Sequence, residues 1–450
     1  MKPQLLIGSP FSGSGKTTFT LGLLRLLQRK GLNVQPFKCG PECADTLFHA
    51  VVSDSESANL DSWFVSDVHI RNLYNKYSEN ADICIIEGMS GLFDGYKRMQ
   101  GSSADIARLL QIPIVLIVNA NAIAYSVAPL LYGFKRFRPS VNIVGVVFNQ
   151  VASEFHFKLL REACMDAGIE CLGYLPFAEN LKLPVRHSGF TLATKQSVNE
   201  LADRVALLIE QHIDLNKLLN MCIRTFPCPH VLPYNSELEL DPVFSKGNKP
   251  LRIAIARDPA FCLLFRENID ILSRKGKLTF FSPIYENNLP EADLIYLPGG
   301  YPELFARQLS RRKRLLEQLR DYAEKGGKIL AECGGMVLLS HSLTIRSGGS
   351  AYEMANLFPF EFSLSGSRVG NGYRRANYKH LELRGYESHY TYITSTPENV
   401  IPFVKTYTLR GVETSSPLYR YKNVIAGLTR WYWGDNDIIT LWENQETLPL

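Results

Sequence analysis

The sequence predicts two α/β domains in series, each built on strands that alternate with helices. Short apolar runs alternate with helical segments in the first half of the 450-residue chain, and a second series follows. A glycine-rich segment separates the first strand from the first helix, and a cysteine occupies a later strand-to-helix turn. Because 450 residues exceed one ordinary core, we divide the chain into 1–224, a linker at 225–250, and 251–450.

The first domain is predicted to hold a parallel sheet covered on both faces, because its apolar runs do not alternate with polar residues. The predicted strands are 5–8, 81–87, 114–119 and 143–149, and the predicted helices are 19–30 and 200–215, the last of which closes the domain.

Five prolines and little periodicity mark residues 225–250 as a linker. The second series begins after it, with strands at 253–256 and 294–297, a helix at 304–325, and a strand at 329–331. That last strand leads directly into Cys333.

Composition argues against several classes of protein. Hydrophobic residues make up 46% and charged residues 21%, which is typical of soluble globular chains. The net charge of +5 is small and no block of like charges occurs, so nothing indicates nucleic acid as a partner. The nine cysteines lack paired metal-ligand spacing and favour a reducing cytoplasm. The start does not resemble a signal peptide, and no apolar run could span a bilayer, so we expect a cytoplasmic protein without a membrane partner.

Residues 12–18, Ser-Gly-Ser-Gly-Lys-Thr-Thr, predict a phosphate-binding loop between a strand and a helix. Backbone N–H groups of such a loop, with the helix N-terminus, surround phosphate oxygens. Lys16 would reach the terminal phosphates and the Thr17 hydroxyl would bind Mg²⁺. Pro10 replaces the usual first glycine, so the loop is a variant, and a simple glycine turn is the alternative. The candidate nucleotide-binding residues here are Ser12, Gly13, Gly15, Lys16, Thr17 and Thr18.

Two acidic residues follow the strand at 81–87. Glu87 ends that strand, and a carboxylate there, beside a phosphate loop, is well placed to hold Mg²⁺. Asp94 would lie in the next loop, near the transferred phosphate or the substrate. The alternative is that both are solvated loop acids.

Cys333 has the surroundings of a nucleophile. A tight turn at a helix N-terminus lowers a thiol pKa, and the glycines that follow it allow a crowded backbone. An oxyanion hole could come from the N–H of Gly334 and from the turn at Gly300. A base is also needed; His389 is the better candidate and His380 the weaker, although either could be a core or surface histidine. The alternative for Cys333 is a buried structural thiol.

With an ATP site and a thiol able to release ammonia from an amide, the residues suggest a glutamine-fed, ATP-driven amide synthase. The whole chain also resembles the cobyrinic acid a,c-diamide synthase family. The segments that carry the resemblance are 34–41, 87–95, 101–107, 183–187, 281–283, 299–303 and 331–335.

The resemblance implies a dethiobiotin-synthetase-like ATPase domain joined to a class I glutaminase domain. In this family ATP phosphorylates a corrin carboxylate, and ammonia from glutamine displaces the phosphate, first at position c and then at a. The substrates implied are cobyrinic acid or a related tetrapyrrole acid, glutamine and ATP with Mg²⁺, and a homodimer is compatible with the family. The roles implied are phosphate contact for Lys16 and Lys38, metal binding for Thr17, Asp45 and Glu87, contact with the reacting group for Asp94, base binding for Asn149 and 173–176, and a glutamyl thioester on Cys333.

The chain departs from the family pattern in three places. Glu42-Cys43-Ala44 replaces Asp-Tyr-Ile before Asp45, which affects a strip expected to line the substrate or metal site. Arg430 replaces the histidine that raises the nucleophilicity of the cysteine, and a guanidinium cannot accept a proton. Ser188 and Phe190 are milder changes.

Three readings therefore stay open beside the leading one. The enzyme could amidate another tetrapyrrole acid, such as hydrogenobyrinic acid or nickel sirohydrochlorin. The synthetase half could work with free ammonia while the glutaminase half is impaired, because losing a general base typically costs about 10²- to 10⁴-fold. The chain could also be a degenerate paralogue that binds ligand without turnover.

Overall fold

The computed structural model describes residues 1–178, 181, 194–228, 250–346, 348–395, 400–434 and 436–442. The chain forms two compact units, Met1–Tyr234 and Asn235–Leu450. This boundary falls within the segment predicted as a linker, of which residues 229–249 lie outside the described part.

The first unit alternates strands and helices. In chain order its elements are β1 (Lys2–Gly8), α1 (Lys16–Arg29), β2 (Val34–Cys39), α2 (Cys43–Ser53), β3 (Ala58–Leu60), α3 (Asp67–Ser78), β4 (Ile83–Glu87), α4 (Ser103–Leu110), β5 (Ile114–Asn119), α5 (Val127–Phe137), β6 (Ile143–Val151), α6 (Glu154–Asp166), β7 (Glu170–Pro176), α7 (Lys195–His212), α8 (Leu215–Met221) and β8 (Ile223–Arg224).

The predicted parallel sheet is confirmed, with strand order β3-β2-β4-β1-β5-β6-β7 and parallel pairing between all neighbours. Its strands are buried, and α1 and α7 contribute to the same apolar core. On one side of β1 the sheet continues through β4 and β2, and on the other side it continues through β5 and β6, so the direction of winding reverses at β1. A crevice forms at the strand carboxyl ends where the winding reverses. The phosphate loop and the ends of β2, β4 and β6 therefore meet at one edge.

The helix predicted at 200–215 has different bounds and does not close the unit. It begins at Lys195, because the Thr194 hydroxyl accepts a hydrogen bond from the backbone N–H of Ser197 and caps the first turn. After α8, the short β8 pairs antiparallel with β1 through Arg224 and Lys2. A two-residue strand has too little periodicity to be recognised from sequence.

The second unit is richer in strands. Its elements are β9 (Leu251–Ala256), α9 (Arg266–Lys275), β10 (Gly276–Phe281), β11 (Leu294–Leu297), a 3₁₀ turn (Pro302–Phe305), α10 (Ala306–Ser310), α11 (Lys313–Glu324), β12 (Lys328–Glu332), α12 (Gly334–Leu339), β13 (Ser342–Thr344), β14 (Tyr352–Glu353), β15 (Glu361–Leu364), β16 (Gly370–Tyr378), β17 (Leu381–His389), β18 (Thr391–Ser395), β19 (Pro402–Val404), β20 (Thr406–Thr408), β21 (Leu418–Tyr421), β22 (Val424–Gly427), β23 (Thr429–Tyr432) and a 3₁₀ turn (Ile438–Trp442).

The main sheet of this unit has the order β10-β9-β11-β12-β22-β21-β19. The first five strands pair in parallel, β21 pairs antiparallel with β22, and β19 pairs antiparallel with β21. Two smaller sheets, β14-β13-β15-β18 and β20-β16-β17-β23, were not predicted. The single helix expected at 304–325 is instead a 3₁₀ turn followed by α10 and α11, because the chain breaks at Arg311 and Arg312 while the buried apolar spacing continues.

No helix in the described part of the chain is both long and apolar enough to cross a membrane.

Candidate active sites

The phosphate loop joins β1 to α1 in a conformation that requires glycine. Gly13 and Gly15 have φ angles of +81° and +97°, a region that side chains disfavour. A Cβ on Gly15 would also overlap the side-chain amide of Asn149. That amide donates to the carbonyl of Ser14 at 3.0 Å, so Asn149, at the end of β6, braces the loop from behind.

Lys16 is buried beneath this loop and links it to the segment after β4. Its ammonium donates to the Ser9 hydroxyl at 2.7 Å and to the Ser90 carbonyl at 2.6 Å. Burial, together with the nearby charge of Lys38, lowers the pKa of Lys16 to about 8. An anionic ligand at the loop would restore the charge on this lysine.

Glu87 is the centre of a buried polar cluster. Its Oε1 accepts hydrogen bonds from the Thr17 hydroxyl at 2.6 Å and from Nζ of Lys38 at 2.8 Å, and Lys38 also lies 2.6 Å from Asp45. Burial opposes charge on both Glu87 and Lys38, but their attraction outweighs it. Lys38 and His49 hold the pKa of Glu87 well below its usual range, and Asp45 and Glu87 raise the pKa of Lys38. The cluster is therefore ionic at neutral pH.

His49 belongs to this cluster, although the sequence did not identify it. It is fully buried on α2, with Nε2 at 2.7 Å from Oε2 of Glu87 and Nδ1 at 3.1 Å from the Ser57 hydroxyl. A lone histidine on a buried helix face resembles a core residue. The available signal was its position four residues after Asp45, which places both side chains on one face of a helix.

A cavity of about 530 Å³ lies over the loop and this cluster. All residues predicted to contact phosphate or metal line it, as do Asn149 and Pro176, whereas residues 173–175 of the predicted base-binding stretch do not. Its full lining is Ser12, Gly13, Gly15, Lys16, Thr17, Thr18, Lys38, Glu42, Asp45, Glu87, Gly88, Ser90, Asn149, Gln150, Pro176, Phe177, Ala178 and Leu181.

Asp94 does not line this cavity. Its side chain is exposed and accepts a hydrogen bond from the backbone N–H of Gly91 at 3.0 Å. The neighbouring Leu92 N–H donates to the carbonyl of Ser9 at 2.8 Å, so the loop that carries Asp94 is attached to the phosphate loop. Residues 183–187, Ser188 and Phe190 lie outside the described residues.

The residues present fit Mg²⁺ bound together with a nucleotide. No group of three His, Cys, Asp or Glu side chains in the described part could hold a metal unaided. Mg²⁺ in nucleotide sites usually takes only one or two protein ligands and completes its shell with phosphate oxygens and water. The adjoining oxygens of Thr17 and Glu87 satisfy that requirement.

In the second unit, Cys333 lies in a strained turn between β12 and α12. Its φ and ψ are +49° and −107°, which a residue other than glycine rarely adopts. Gly334 is required because a Cβ there would lie 2.8 Å from Cδ of Pro302 and 3.1 Å from the backbone nitrogen of Gly300. A Cβ on Gly335 would overlap the Leu297 carbonyl. The sharp turn and the glycines match the geometry of a nucleophile elbow.

The Cys333 thiol is buried, and burial raises its pKa to about 12. Arg430 and the backbone N–H groups of Gly334 and Gly300 oppose this shift, because each stabilises a thiolate. The two predicted oxyanion donors thus both adjoin the sulfur atom.

Arg430 packs against the turn that precedes the oxyanion donor. A Cβ on Gly299 would lie 2.5 Å from Cδ of Arg430, and the guanidinium lies 5.8 Å from the ring centroid of Phe265. Glu303 and Glu332 are buried near the same turn, and burial raises the pKa of each to about 8. Burial thus favours the neutral form of both carboxyl groups.

The ring of His389 is held by other groups, although the Cys333 sulfur lies 3.9 Å from the carbonyl of the adjacent Ser388. The Nδ1 atom of His389 lies 2.7 Å from the carbonyl of Thr391, and its Nε2 lies 2.8 Å from Glu387. On β17 side chains alternate between faces, and Tyr386 pairs with Arg430 on β23, so Glu387 and His389 lie on the opposite face from Arg430. The predicted role of His389 as a base is therefore not supported by this geometry. The weaker candidate, His380, is exposed in the turn before β17.

Family models match both halves of the chain. Residues 5–190 match the CobQ/CobB/MinD/ParA nucleotide binding domain, and residues 252–427 match the CobB/CobQ-like glutamine amidotransferase domain. The first unit is thus a nucleotide-binding domain and the second is a glutamine amidotransferase domain.

Several curated relatives are similar to this chain over most of their length. A cobyrinate a,c-diamide synthase of Priestia megaterium is 33% identical, over 96% of this chain and 94% of its own. One from Listeria monocytogenes is 38% identical over 87% and 88%, respectively. A hydrogenobyrinate a,c-diamide synthase of Brucella abortus is 37% identical over 86% and 89%. At this identity and coverage, the chain belongs to the family of the cobyrinate and hydrogenobyrinate a,c-diamide synthases.

Proposed function

We propose that the protein is a carbon–nitrogen ligase that amidates the a and c side-chain carboxylates of cobyrinic acid in cobalamin biosynthesis, with ATP and glutamine as co-substrates. The observation that carries this proposal is the convergence of Lys16, Thr17 and Glu87 on one cavity, in a chain that also holds Cys333 in an elbow turn. The names of the relatives supply the substrate.

In the synthetase reaction, a carboxylate oxygen of the substrate attacks the γ-phosphorus of ATP, and ADP leaves. Ammonia then attacks the acyl phosphate carbon, a proton is lost, and phosphate leaves. The loop N–H groups and the ammonium of Lys16 bind the phosphates, and Lys38 adds a second positive charge. Thr17 and Glu87 would hold Mg²⁺, whose charge would neutralise that of the phosphates. Asp45, also predicted to bind the metal, is paired with Lys38 at 2.6 Å, so we propose that it orients Lys38 beside the metal site.

Asp94 is proposed to contact the incoming substrate. Its exposed carboxylate on a loop attached to the phosphate loop suits contact with a group outside the nucleotide cavity. Pro176 and Phe177 line the cavity near Asn149 and are proposed to face the nucleotide base.

In the glutaminase reaction, the thiolate of Cys333 attacks the glutamine amide carbon, and the amide nitrogen takes a proton from water and leaves as ammonia. A second water then hydrolyses the thioester to glutamate and restores the thiol. The N–H groups of Gly300 and Gly334 are proposed to bind the oxyanion. Arg430 stabilises the thiolate by charge but cannot accept its proton. We therefore expect amidation driven by glutamine to be slower than amidation driven by free ammonia.

One observation favours a different tetrapyrrole. Glu42, a departure from the family pattern, lines the cavity beside Asp45 and Lys38 and brings an extra methylene into that wall. Hydrogenobyrinic acid and nickel sirohydrochlorin are therefore retained as alternative substrates. The polar groups around Glu87 are paired, and the turn at Cys333 is strained. Both features argue against the alternative of a degenerate paralogue without catalytic activity.

The experiment is product mass spectrometry after incubation with Mg²⁺, ATP and each tetrapyrrole acid in turn, with glutamine in one series and ammonium chloride in the other. Cobyrinic acid diamide that requires ATP supports the proposal, and faster formation with ammonium supports the impaired glutaminase. If only another tetrapyrrole acid gave a diamide, that acid would be assigned as the substrate in place of cobyrinic acid. No product from any acid with either nitrogen source would overturn the proposal in favour of binding without turnover. Sedimentation of the same sample tests for the homodimer that the family allows.

A further inference from the structure

We propose that His49 is a positioning residue that holds the Oε2 atom of Glu87, so that Oε1 stays directed at Thr17 and the phosphate loop. The inference deepens the proposed function, since it concerns the same nucleotide cavity.

The geometry that supports it is a carboxylate with a partner on each oxygen. Oε1 of Glu87 accepts from Thr17 and Lys38, and Oε2 lies 2.7 Å from Nε2 of His49. Glu87 and His49 have no exposed surface at all. In such a site the loss of one partner leaves a charged oxygen unsatisfied, which favours rotation of the whole carboxylate.

The surroundings of the ring fix its orientation. A proton on Nε2 lets the ring donate to Glu87, and Nδ1 on the other side of the ring pairs with the Ser57 hydroxyl at 3.1 Å. Ser57 therefore holds the ring in the orientation in which Nε2 faces the carboxylate. One turn away on α2, Asp45 holds Lys38 at 2.6 Å, so one helix face positions two of the three side-chain partners of Glu87.

Hydrogen bonds of this kind behind a ligating carboxylate typically change metal affinity by about 10- to 100-fold. Metal-free nucleotide would still bind the loop N–H groups and Lys16, which His49 does not touch. The expected signature is therefore a selective loss of the contribution that Mg²⁺ makes to nucleotide binding.

The test uses the full chain and measures ADP binding by calorimetry, in EDTA and across a Mg²⁺ titration. His49→Leu fills the space without a donor, and His49→Gln retains an N–H donor near the position of Nε2. We expect His49→Leu to require about 10- to 100-fold more Mg²⁺ for half-maximal tightening, with metal-free ADP affinity within about twofold of wild type. His49→Gln should recover most of the loss, and Ser57→Ala should show a smaller shift in the same direction.

Equal Mg²⁺ requirements in wild type and His49→Leu would overturn the inference alone. So would equal impairment of the Leu and Gln variants, because that pattern indicates packing. If wild-type ADP binding did not respond to Mg²⁺, the metal site of the proposed function would fail as well. Should His49→Leu not fold, Ser57→Ala decides the question by the same titration, with an unchanged Mg²⁺ requirement counting against the inference.

Discussion

The hydroxyl of Thr17 donates a hydrogen bond to Oε1 of Glu87 at 2.6 Å, which joins the phosphate loop to the carboxyl end of β4. The same oxygen accepts from Lys38 at the end of β2. The two oxygens proposed to hold Mg²⁺ are thus adjacent, and three neighbouring parallel strands place them there.

The two loop glycines should respond differently to alanine. Gly15→Ala meets both a positive φ and the amide of Asn149, so we expect loss of measurable nucleotide binding. In Gly13→Ala the new Cβ would lie in open space, so only the positive φ disfavours alanine. We expect this variant to bind ADP about 1 kcal/mol more weakly. Calorimetric ADP affinity checks both variants, and equal effects would contradict this account of the loop.

Nucleotide binding should be accompanied by proton uptake near pH 8. The pKa of Lys16 is about 8 because the side chain is buried, so about half of the molecules lack this charge at that pH. Phosphate favours the ammonium and raises the pKa, so a proton is taken up on binding. Calorimetry in buffers of different ionisation enthalpy measures the uptake, which should be smaller at pH 6.5. In Lys16→Arg it should vanish, because arginine is already charged; uptake that persisted there would assign the proton to another group.

Arg430 should control the reactivity of the cysteine. Arg430→Met removes the charge that stabilises the thiolate, so alkylation of Cys333 by iodoacetamide should slow, as followed by peptide mass spectrometry. Arg430→His should instead raise the ratio of glutamine-driven to ammonia-driven amidation, by up to about 10²-fold if the imidazole reaches the thiol. Unchanged alkylation in Arg430→Met would show that the guanidinium does not act on the sulfur.

Ionised Glu303 raises the pKa of the Cys333 thiol, and its own pKa is about 8. Glu303→Gln keeps the shape and removes this charge. Alkylation of Cys333 should therefore match wild type at pH 6 and exceed it at pH 9. A difference at pH 6 as large as that at pH 9 would point to altered packing.

The same substitution should affect stability with a definite sign. The pKa of Glu303 rises from 4.5 to about 8 on folding, so between these values the unfolded chain is ionised while the folded chain stays protonated. Stability is therefore lost as pH rises through this window. Glu303→Gln should raise the melting temperature at pH 8 and have little effect near pH 4.5. An equal gain at both values would refute the electrostatic cause.

Local patterns allowed the phosphate loop, Glu87 and the cysteine turn to be predicted, because each motif lies where one strand meets the next helix. The order of the parallel strands in the first unit then brought the phosphate loop and Glu87 to one edge of their sheet. Tertiary contacts explain what was missed. His49 acquires its role only through β4, and Asn149 turns out to brace Ser14 through its side-chain amide.

The sequence could not place His389 relative to Cys333. Its orientation depends on the pairing of β17 with β23, and a shift of one residue in that register would move its ring to the other face. The helix break at Arg311 could not be predicted either, because the helical spacing of apolar residues continues across it.

The most direct test of the account follows amide-¹⁵N glutamine into product, with cobyrinic acid, ATP and Mg²⁺, in wild type, Cys333→Ala and Lys16→Ala. We predict labelled diamide from wild type, formed more slowly than diamide from ammonium chloride. Cys333→Ala should form diamide from ammonium but incorporate no label from glutamine, and Lys16→Ala should form none from either source. Label incorporated by Cys333→Ala, or ammonium-driven diamide from Lys16→Ala at the wild-type rate, would contradict the assignment of the two chemistries to these two residues.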